Sequence, residues 1–321
     1  MAAARILITR RWPQEVEAAL LRDYDTTIHD APLSLDEWKQ ALQEYDAICP
    51  CVADRFFPEL GELGTVKTRL LANYGVGYNH IDLDAARKLG LTVTNTPGVL
   101  TDATADLAMT LMLMVARRAG EGERQVRAGQ WNGWYPTHLM GAQVSGATLG
   151  VIGMGRIGLA MARKAHYGFG MKILYHNRRE VVDEEVTRMG ARFFADIDDL
   201  LREADFVAIH TPGGKDTYHL FDAARFANMQ PHAYLINTSR GDVVDEAALI
   251  AALDEGRIAG AALDVYEREP KVPEALLGRE NVVLLPHLGS ATVQTRTAMG
   301  MKVKANLDAF FAGQPVPDKV L

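Results

Sequence analysis

Short apolar runs alternate with amphipathic stretches along most of this sequence. Each apolar run is bounded by turn-forming residues, and the stretches between the runs have helical periodicity. Such an alternation is typical of parallel β-sheets covered by helices on both faces. The runs that we interpret as strands are Arg5–Thr9, Thr26–His29, Ala47–Val52, Leu70–Tyr74, Leu91–Asn95, Thr148–Ile152, Lys172–His176, Phe206–His210, Ala233–Asn237, Ala259–Leu263 and Val282–Leu285.

The alternation is interrupted once, and the interruption predicts two domains. Thr96-Pro97-Gly98 ends the first series, and a stronger series begins at Ala147. The predicted helices lie near Gln14–Arg22, Ser34–Tyr45, Asp82–Leu89, Asp102–Arg118, Leu159–His166 and Ala291–Phe311. We expect the last helix to return to the first domain. The fold class is therefore α/β, with two doubly wound parallel-sheet domains (1–98 with 291–321, and 99–290) and a cleft between them.

Charge and composition restrict the partners. The 321 residues carry a net charge of −7, and lysines and arginines are scattered, which argues against nucleic acid or an anionic membrane as a partner. The longest apolar run, Leu107–Ala116, is too short to cross a bilayer, and the N-terminal residues lack a signal-peptide pattern. Cys49 and Cys51 have no further ligands at metal spacing, so we interpret them as small buried residues. A cytoplasmic protein is the simplest interpretation.

A glycine-rich segment, Gly153-Met154-Gly155-Arg156-Ile157-Gly158, is the most specific local motif. It follows a predicted strand and opens a predicted helix, which is the context that the dinucleotide-binding fingerprint requires. Gly153 permits the tight turn, Gly155 lets the backbone approach the pyrophosphate, and Gly158 lets helix and strand pack closely. The alternative is a merely flexible turn.

The residues after the next strand favour NADP(H) over NAD(H). Enzymes that prefer NAD have an acidic residue here to bind the ribose hydroxyls, whereas this chain has Asn177 followed by Arg178 and Arg179. Both arginines can pair with a 2′-phosphate. A solvated loop without this role, and use of both cofactors, remain open at this stage.

Polar clusters follow the later strands, at the edge where parallel sheets bind ligands. They are His210-Thr211-Pro212, Thr238-Ser239-Arg240-Gly241, Asp264 with Glu267 and Glu269, and Pro286-His287. A guanidinium, carboxylates and an imidazole therefore converge on the expected cofactor crevice. We find no convincing set of His, Cys or carboxylate residues at metal-ligand spacing.

Nearly the whole chain resembles the D-2-hydroxyacid dehydrogenase family, and within it the glyoxylate/hydroxypyruvate reductases. The resemblance is carried by Asn73-Tyr74-Gly75-Val76-Gly77-Tyr78-Asn79-His80-Ile81-Asp82, the fingerprint at 153–158, Asn237–Gly241, Leu263-Asp264-Val265-Tyr266-Glu267-Arg268-Glu269-Pro270, and Pro286-His287-Leu288-Gly289-Ser290-Ala291-Thr292. It implies a Rossmann coenzyme domain, a flavodoxin-like substrate domain, and reduction of a small 2-oxo acid such as glyoxylate or hydroxypyruvate.

The resemblance also implies a catalytic triad of Arg240, Glu269 and His287. His287 would donate a proton to the substrate oxygen, and Glu269 would help it to hold that proton. Arg240 would bind the substrate carboxylate and polarise the carbonyl. Glu267 competes for the carboxylate role, but the family pattern places that role on the residue before Pro270.

The resemblance implies further contacts to the substrate and to the cofactor. Backbone amides of Val76 and Gly77 would help Arg240 and His287 to bind substrate. Besides residues 153–158 and 177–179, those implied at the cofactor are Thr101, His210, Thr211, Pro212, Thr217, Thr238, Ser239, Arg240, Asp264, His287, Gly289 and Ser290. We interpret the side chains of six histidines as structural: His80, His138, His166, His210, His219 and His232.

The family also implies a homodimer, with the irregular segment Gly129–Met140 reaching across the interface and Trp131 or Trp134 lining the partner's active site. Two alternatives remain. One is another dehydrogenase, such as a short phosphoglycerate-type enzyme; formate-type relatives usually have Gln at the position of Glu269. The other is a nucleotide-sensing corepressor that binds proteins instead of turning over substrate.

Overall fold

Residues 3–321, which the computed structural model describes, contain two β-sheets in which every strand pair is parallel, one sheet in each of two units. The first unit comprises the chain up to Leu100 together with Ser290–Leu321, and the second is Thr101–Gly289. The strands of the first unit are β1 Arg5–Ile8, β2 Asp25–Ile28, β3 Ala47–Cys49, β4 Leu70–Ala72 and β5 Thr92–Thr94. Those of the second unit are β6 Thr148–Ile152, β7 Lys172–His176, β8 Arg192–Phe194, β9 Phe206–Ile209, β10 Tyr234–Asn237, β11 Gly260–Leu263 and β12 Val282–Leu284.

The helices fill the connections between the strands. In chain order they are α1 Gln14–Asp23, α2 Leu35–Glu44, α3 Leu83–Lys88, α4 Thr101–Ala116, α5 Ala119–Arg127, α6 Arg156–Phe169, α7 Glu184–Arg188, α8 Ile197–Leu201, α9 Ala223–Asn228, α10 Glu246–Asp254, α11 Glu274–Leu277 and α12 Val293–Phe311. Short 3-10 helices span Pro58–Glu62 and Gly241–Val243. None of these helices is long and apolar enough to cross a membrane.

The first unit has strand order β2-β1-β3-β4-β5. The strand residues Ile6, Ile8 and Leu70 are fully buried, because helices cover both faces of the sheet. α12 packs against α1 and β4 and buries Val303 and Leu307 in the same core. The C-terminal helix therefore completes the unit that the N-terminal strands begin.

The second unit has strand order β12-β11-β10-β9-β6-β7-β8. The chain builds outward from β6 to β7 and β8, then crosses to β9 on the other side of β6. This reversal creates a crevice at the carboxyl ends of β6 and β9, where open α/β sheets bind their ligands. α4 and α6 pack on each other and bury Ala108, Met112, Met161 and Ala162 against the sheet.

The predicted α/β class with two parallel-sheet units is confirmed, whereas several element boundaries were wrong. The runs at Ala47–Val52 and Leu70–Tyr74 end as strands at Cys49 and Ala72, since apolar residues continue beyond the last ladder pairs. α6 begins at Arg156, three residues before the predicted start, because its first turn consists of fingerprint residues. β8 and six helices, α5 and α7–α11, were not predicted.

Candidate active site

The glycine-rich segment forms the turn from β6 to α6. Gly153 has a φ of 100°, and a Cβ there would lie 2.9 Å from the backbone of His210. A Cβ on Gly158 would lie 2.1 Å from the carbonyl oxygen of Gly153, which leaves no room for a side chain. A Cβ on Gly155 would meet nothing within 4 Å. Two glycines thus pack the turn closely while the third faces open space, so the backbone of the turn is accessible to a phosphate at the start of α6.

Asn177 directly follows β7, and its side chain is turned towards this glycine turn. Its Oδ1 accepts the backbone N–H of Met154 at 2.7 Å. Arg178 and Arg179 follow it and are exposed, and neither forms an ion pair with the described residues. The position that would carry a ribose-binding carboxylate is therefore occupied by a neutral amide beside two available guanidinium groups.

The segment after β9 places a neutral imidazole and a buried hydroxyl beside the turn. Burial lowers the pKa of His210 to about 4, and its Nε2 lies 3.1 Å from the sulfur of Met161. The ring is thus buried and neutral, packed against Met161. The Oγ1 atoms of Thr211 and of Thr238, which follows β10, are buried without a partner among the described residues. Pro212 accepts the hydroxyl of Thr217 at 2.7 Å, which closes the loop.

The side chain of Asn237 holds the backbone of Arg240 at the end of β10. The side chain of Asn237 donates to the Arg240 carbonyl at 2.9 Å and accepts the Ser239 N–H at 3.0 Å. The Arg240 guanidinium donates from Nη1 to the Ser239 carbonyl at 2.7 Å. Burial lowers the pKa of Arg240, while Glu269 and Asp242 raise it. An arginine stays charged under such conditions, so the group remains a fixed cation.

His287 and Glu269 form a close pair. Nδ1 of His287 lies 2.7 Å from Oε2 of Glu269, and the two side chains are 29% and 32% exposed. The other carboxylate oxygen accepts the backbone N–H of Tyr266 at 3.2 Å. Burial raises the pKa of Glu269, but its bonds to His287 and Tyr266 and the charge of Arg240 outweigh burial and lower it overall. The pair is therefore a charged carboxylate held against the imidazole, which orients the ring.

Glu267, the competing carboxylate, is engaged elsewhere. Its Oε1 lies 2.9 Å from Nε2 of His219 and accepts the backbone N–H of Glu246 at 3.1 Å. Within residues 3–321, His219, Asp245 and Glu267 are the one group whose donor atoms lie close enough for a metal ion. Nε2 of His219 faces Glu267, whereas Nδ1 faces Asp245 at 3.8 Å. The ring thus lies between the two carboxylates, one nitrogen towards each, which favours hydrogen bonding over shared coordination.

Asp264 anchors the segment that carries His287. Its two carboxylate oxygens accept the N–H groups of Leu288 at 2.6 Å and Gly289 at 2.8 Å, and its carbonyl accepts the N–H of His287 at 2.9 Å. Burial raises its pKa, and the two N–H donors and His287 partly offset that effect. His287 has a left-handed φ of 55°, which costs energy for a residue with a side chain. Asp264 therefore helps to hold His287 in a strained, fixed position.

The other predicted site residues lie at the start of a helix or in loops. Thr101 begins α4, and Gly289 and Ser290 follow the His287 segment directly. The Gly289 carbonyl accepts the hydroxyl of Thr104 at 3.1 Å, a contact that the sequence did not indicate. In the first unit, Val76 and Gly77 lie half-buried in the loop between β4 and α3.

Comparison with known proteins identifies the family of the chain. Residues 109–289 match the family described as D-isomer specific 2-hydroxyacid dehydrogenase, NAD binding domain. The chain is 44% identical to a glyoxylate reductase of Thermococcus litoralis, with 98% of this chain and 96% of that protein covered. It is also 44% identical to a glyoxylate reductase of Pyrococcus horikoshii, covering 98% and 95%.

A solved structure with the same fold carries both a cofactor and a dicarboxylate. It is an NADPH-dependent glyoxylate/hydroxypyruvate reductase from Sinorhizobium meliloti in complex with NADP and malonate. The TM-score is 0.86 at 35% identity, and 99% of this chain and 97% of that chain are covered. The chain described here belongs to the D-isomer specific 2-hydroxyacid dehydrogenase family.

Proposed function

We propose that this protein reduces a small 2-oxo acid, glyoxylate or hydroxypyruvate, to the D-2-hydroxy acid with NAD(P)H. The observation that carries the proposal is the 2.7 Å pair of His287 and Glu269 in the same unit as Arg240 and the glycine turn. Reduction of a 2-oxo acid needs a hydride at C2, a proton at its oxygen and a cation for its carboxylate. The second unit offers His287 for the proton and Arg240 for the carboxylate, and its glycine turn fits the cofactor that carries the hydride.

The residues of the second unit fit a dinucleotide. The close approach at Gly153 and Gly158, together with the open space at Gly155, forms a cradle that a side chain would fill. The buried hydroxyls of Thr211 and Thr238 have no partner within residues 3–321, which is costly unless a ligand or water satisfies them. We also propose the other cofactor contacts that the family resemblance implies, which lie between Thr101 and Ser290. A bound nicotinamide cofactor supplies the hydride.

His287 is the proposed proton donor. Because Nδ1 is bonded to Glu269, the proton given to the substrate oxygen comes from Nε2. In the oxidative direction the same nitrogen accepts the proton from the hydroxyl group. Glu269 maintains the charge and the orientation of the ring throughout.

Arg240 is the proposed ligand of the substrate carboxylate. Its planar guanidinium suits a carboxylate, and burial strengthens that electrostatic interaction. It also supplies the local positive charge that a chain with a net charge of −7 needs in order to bind an anion. The backbone N–H groups of Val76 and Gly77 are further proposed donors to that carboxylate.

We propose NADPH as the preferred cofactor, with NADH accepted more weakly. The proposal is supported by Asn177, whose side chain accepts the backbone N–H of Met154 in the glycine turn, and by the exposed Arg178 and Arg179. A carboxylate at position 177 would repel a 2′-phosphate, and its absence leaves the two cations to attract one.

We also propose that the protein is a homodimer whose interface includes residues 129–140. Trp131 and Trp134 are 56% and 79% exposed, and Tyr135 and Met140 are exposed beside them in a segment without helix or strand. Apolar groups gathered in this way mark an interaction surface. The cytoplasmic location stays a prediction.

Oxidation of NADPH by the purified protein, followed with glyoxylate and with hydroxypyruvate beside parallel NADH reactions, tests the proposal. We expect turnover with both acids, faster with NADPH, and D-glycerate as the product from hydroxypyruvate. Absence of turnover with either cofactor across a panel of 2-oxo acids would contradict it and favour a binding protein.

A further inference from the structure

The loop between β4 and α3 has three successive carbonyl groups bonded to asparagine side chains. The Nδ2 group of Asn73 donates to the carbonyls of Gly75 and Gly77, each at 3.0 Å. The Nδ2 group of Asn95 donates to the carbonyl between them, that of Val76, at 2.8 Å. Asn73 directly follows β4 and Asn95 directly follows β5, so neighbouring parallel strands place both amides at one edge of the sheet.

Both the nitrogen and the oxygen of the Asn73 side chain are hydrogen-bonded in this arrangement. It is completely buried, both hydrogens of its amide are donated to the loop, and its Oδ1 lies 3.0 Å from Nε2 of His80. An aspartate of the same shape has no hydrogen to donate and would place a negative charge against two carbonyl oxygens. The arrangement therefore requires an amide at position 73.

The tied carbonyls fix the direction of the N–H groups. A trans peptide is planar, and its C=O and N–H point in opposite directions. Because the carbonyls of Gly75, Val76 and Gly77 point towards the asparagines, the N–H groups of Val76, Gly77 and Tyr78 point away from them. Those three groups donate to no acceptor within residues 3–321, and Val76 and Gly77 are half-buried. Adjacent unpaired N–H groups of this kind form an anion-binding site.

We propose that Asn73 and Asn95 are positioning residues that aim the backbone N–H groups of residues 76–78 at the carboxylate of the 2-oxo acid. This inference rests on the proposed function for the identity of the anion. The asparagines do not touch the substrate; they keep the peptide planes from rotating, so the N–H groups are oriented before the anion arrives. Bonds from N–H groups to a carboxylate are charge-assisted and thus stronger than neutral ones.

Calorimetric binding of oxalate to the full-length protein with NADP present tests the inference, because oxalate carries the carboxylate and cannot be reduced. The variants are Asn73→Asp and the milder Asn95→Ala. Thr68→Val is the matched control: Thr68 is buried in the same unit and donates its hydroxyl to the carbonyl of Tyr45 at 2.8 Å, away from the loop. Melting temperature and NADPH affinity are measured for each protein.

We expect both asparagine variants to bind oxalate at least about tenfold more weakly. This is the loss expected when one oriented hydrogen bond to a charged group is removed. The KM for glyoxylate should rise in parallel, while NADPH affinity stays at the wild-type value and Thr68→Val retains oxalate binding. Oxalate affinity that is unchanged in Asn95→Ala, or that falls equally in Thr68→Val, would overturn the inference. So would a wild-type protein that reduces glyoxylate without binding oxalate. Absence of any turnover would instead refute the proposed function, and oxalate binding would still report on the loop.

Discussion

At the scale of single residues, the His287–Glu269 pair predicts how activity depends on pH. The pKa of Glu269 is lowered, so its charge is fully present above pH 4.5 and is lost only as the pH falls further. Reduction needs the protonated imidazole, so kcat/KM should fall as the pH rises. In Glu269→Gln the carboxylate that orients the ring is absent, and we expect kcat/KM to be lower than in the wild type across the whole range. Initial rates of NADPH-dependent glyoxylate reduction between pH 5 and 9 measure it.

Glu267→Gln is the control for that measurement. Glu267 lies two residues away but pairs with His219. We expect its pH profile to match that of the wild type. A loss of activity of equal size in both variants would assign the effect to general electrostatics and contradict the pairing of Glu269 with the proton donor.

A second residue-scale prediction concerns the cofactor. Asn177→Asp keeps an acceptor for the Met154 N–H but adds a negative charge. We expect the ratio of kcat/KM for NADPH to that for NADH to fall about tenfold or more, because the charge repels the 2′-phosphate and suits the ribose hydroxyls. Asn177→Ala removes the acceptor without adding charge and should weaken both cofactors alike. An unchanged ratio in Asn177→Asp would contradict the NADPH preference.

The sequence identified residues that belong to a motif, and it missed those that act through geometry. Gly153 and Gly158 are recognisable because their spacing follows from the turn they make. The family pattern was needed to distinguish Glu269 from Glu267. The anchoring role of Asp264 and the tethers from Asn73 and Asn95 were not predicted, since each depends on which backbone groups a side chain reaches after folding. A buried asparagine just after a strand was the available signal.

At the scale of elements, the β6–α6 turn makes a prediction with an internal control. Gly158→Ala places a methyl group 2.1 Å from the Gly153 carbonyl, so the turn must open. We expect loss of measurable NADPH binding and a lower melting temperature. Gly168→Ala lies in the same helix with nothing within 4 Å, and alanine is the better helix former there by about 0.5–1 kcal/mol. It should bind NADPH normally and melt at a higher temperature. Normal cofactor binding by Gly158→Ala would contradict the role of the turn.

Elements were predictable where burial fixes the pattern. The inner strands of both sheets are apolar on both faces, so they stand out as runs in the sequence. β8 was missed because it is three residues long, lies at the sheet edge and begins with exposed Arg192. All six missed helices have nine residues or fewer, and helices this short leave a weak periodic signal.

At the scale of the whole molecule, the exposed segment 129–140 predicts the oligomeric state. Sedimentation should give the wild type twice the chain mass of 35.2 kDa. Replacing both Trp131 and Trp134 with serine should give the single-chain mass, because the interface loses its largest apolar side chains. Leu277→Ser, at another exposed apolar position of the same unit, should remain dimeric. A monomeric wild type, or a double variant that stays dimeric, would contradict this.

The central claim is that His287 supplies the proton for reduction of a 2-oxo acid. The most direct test compares kcat/KM for NADPH-dependent glyoxylate reduction in the wild type, His287→Ala and His219→Ala. His219 is a matched control because it too has a left-handed backbone, with φ of 47°, and a carboxylate partner at 2.9 Å. The account predicts a loss of about 100-fold or more in His287→Ala with NADPH binding retained, and near wild-type activity in His219→Ala. Activity of His287→Ala within a few-fold of the wild type would contradict it.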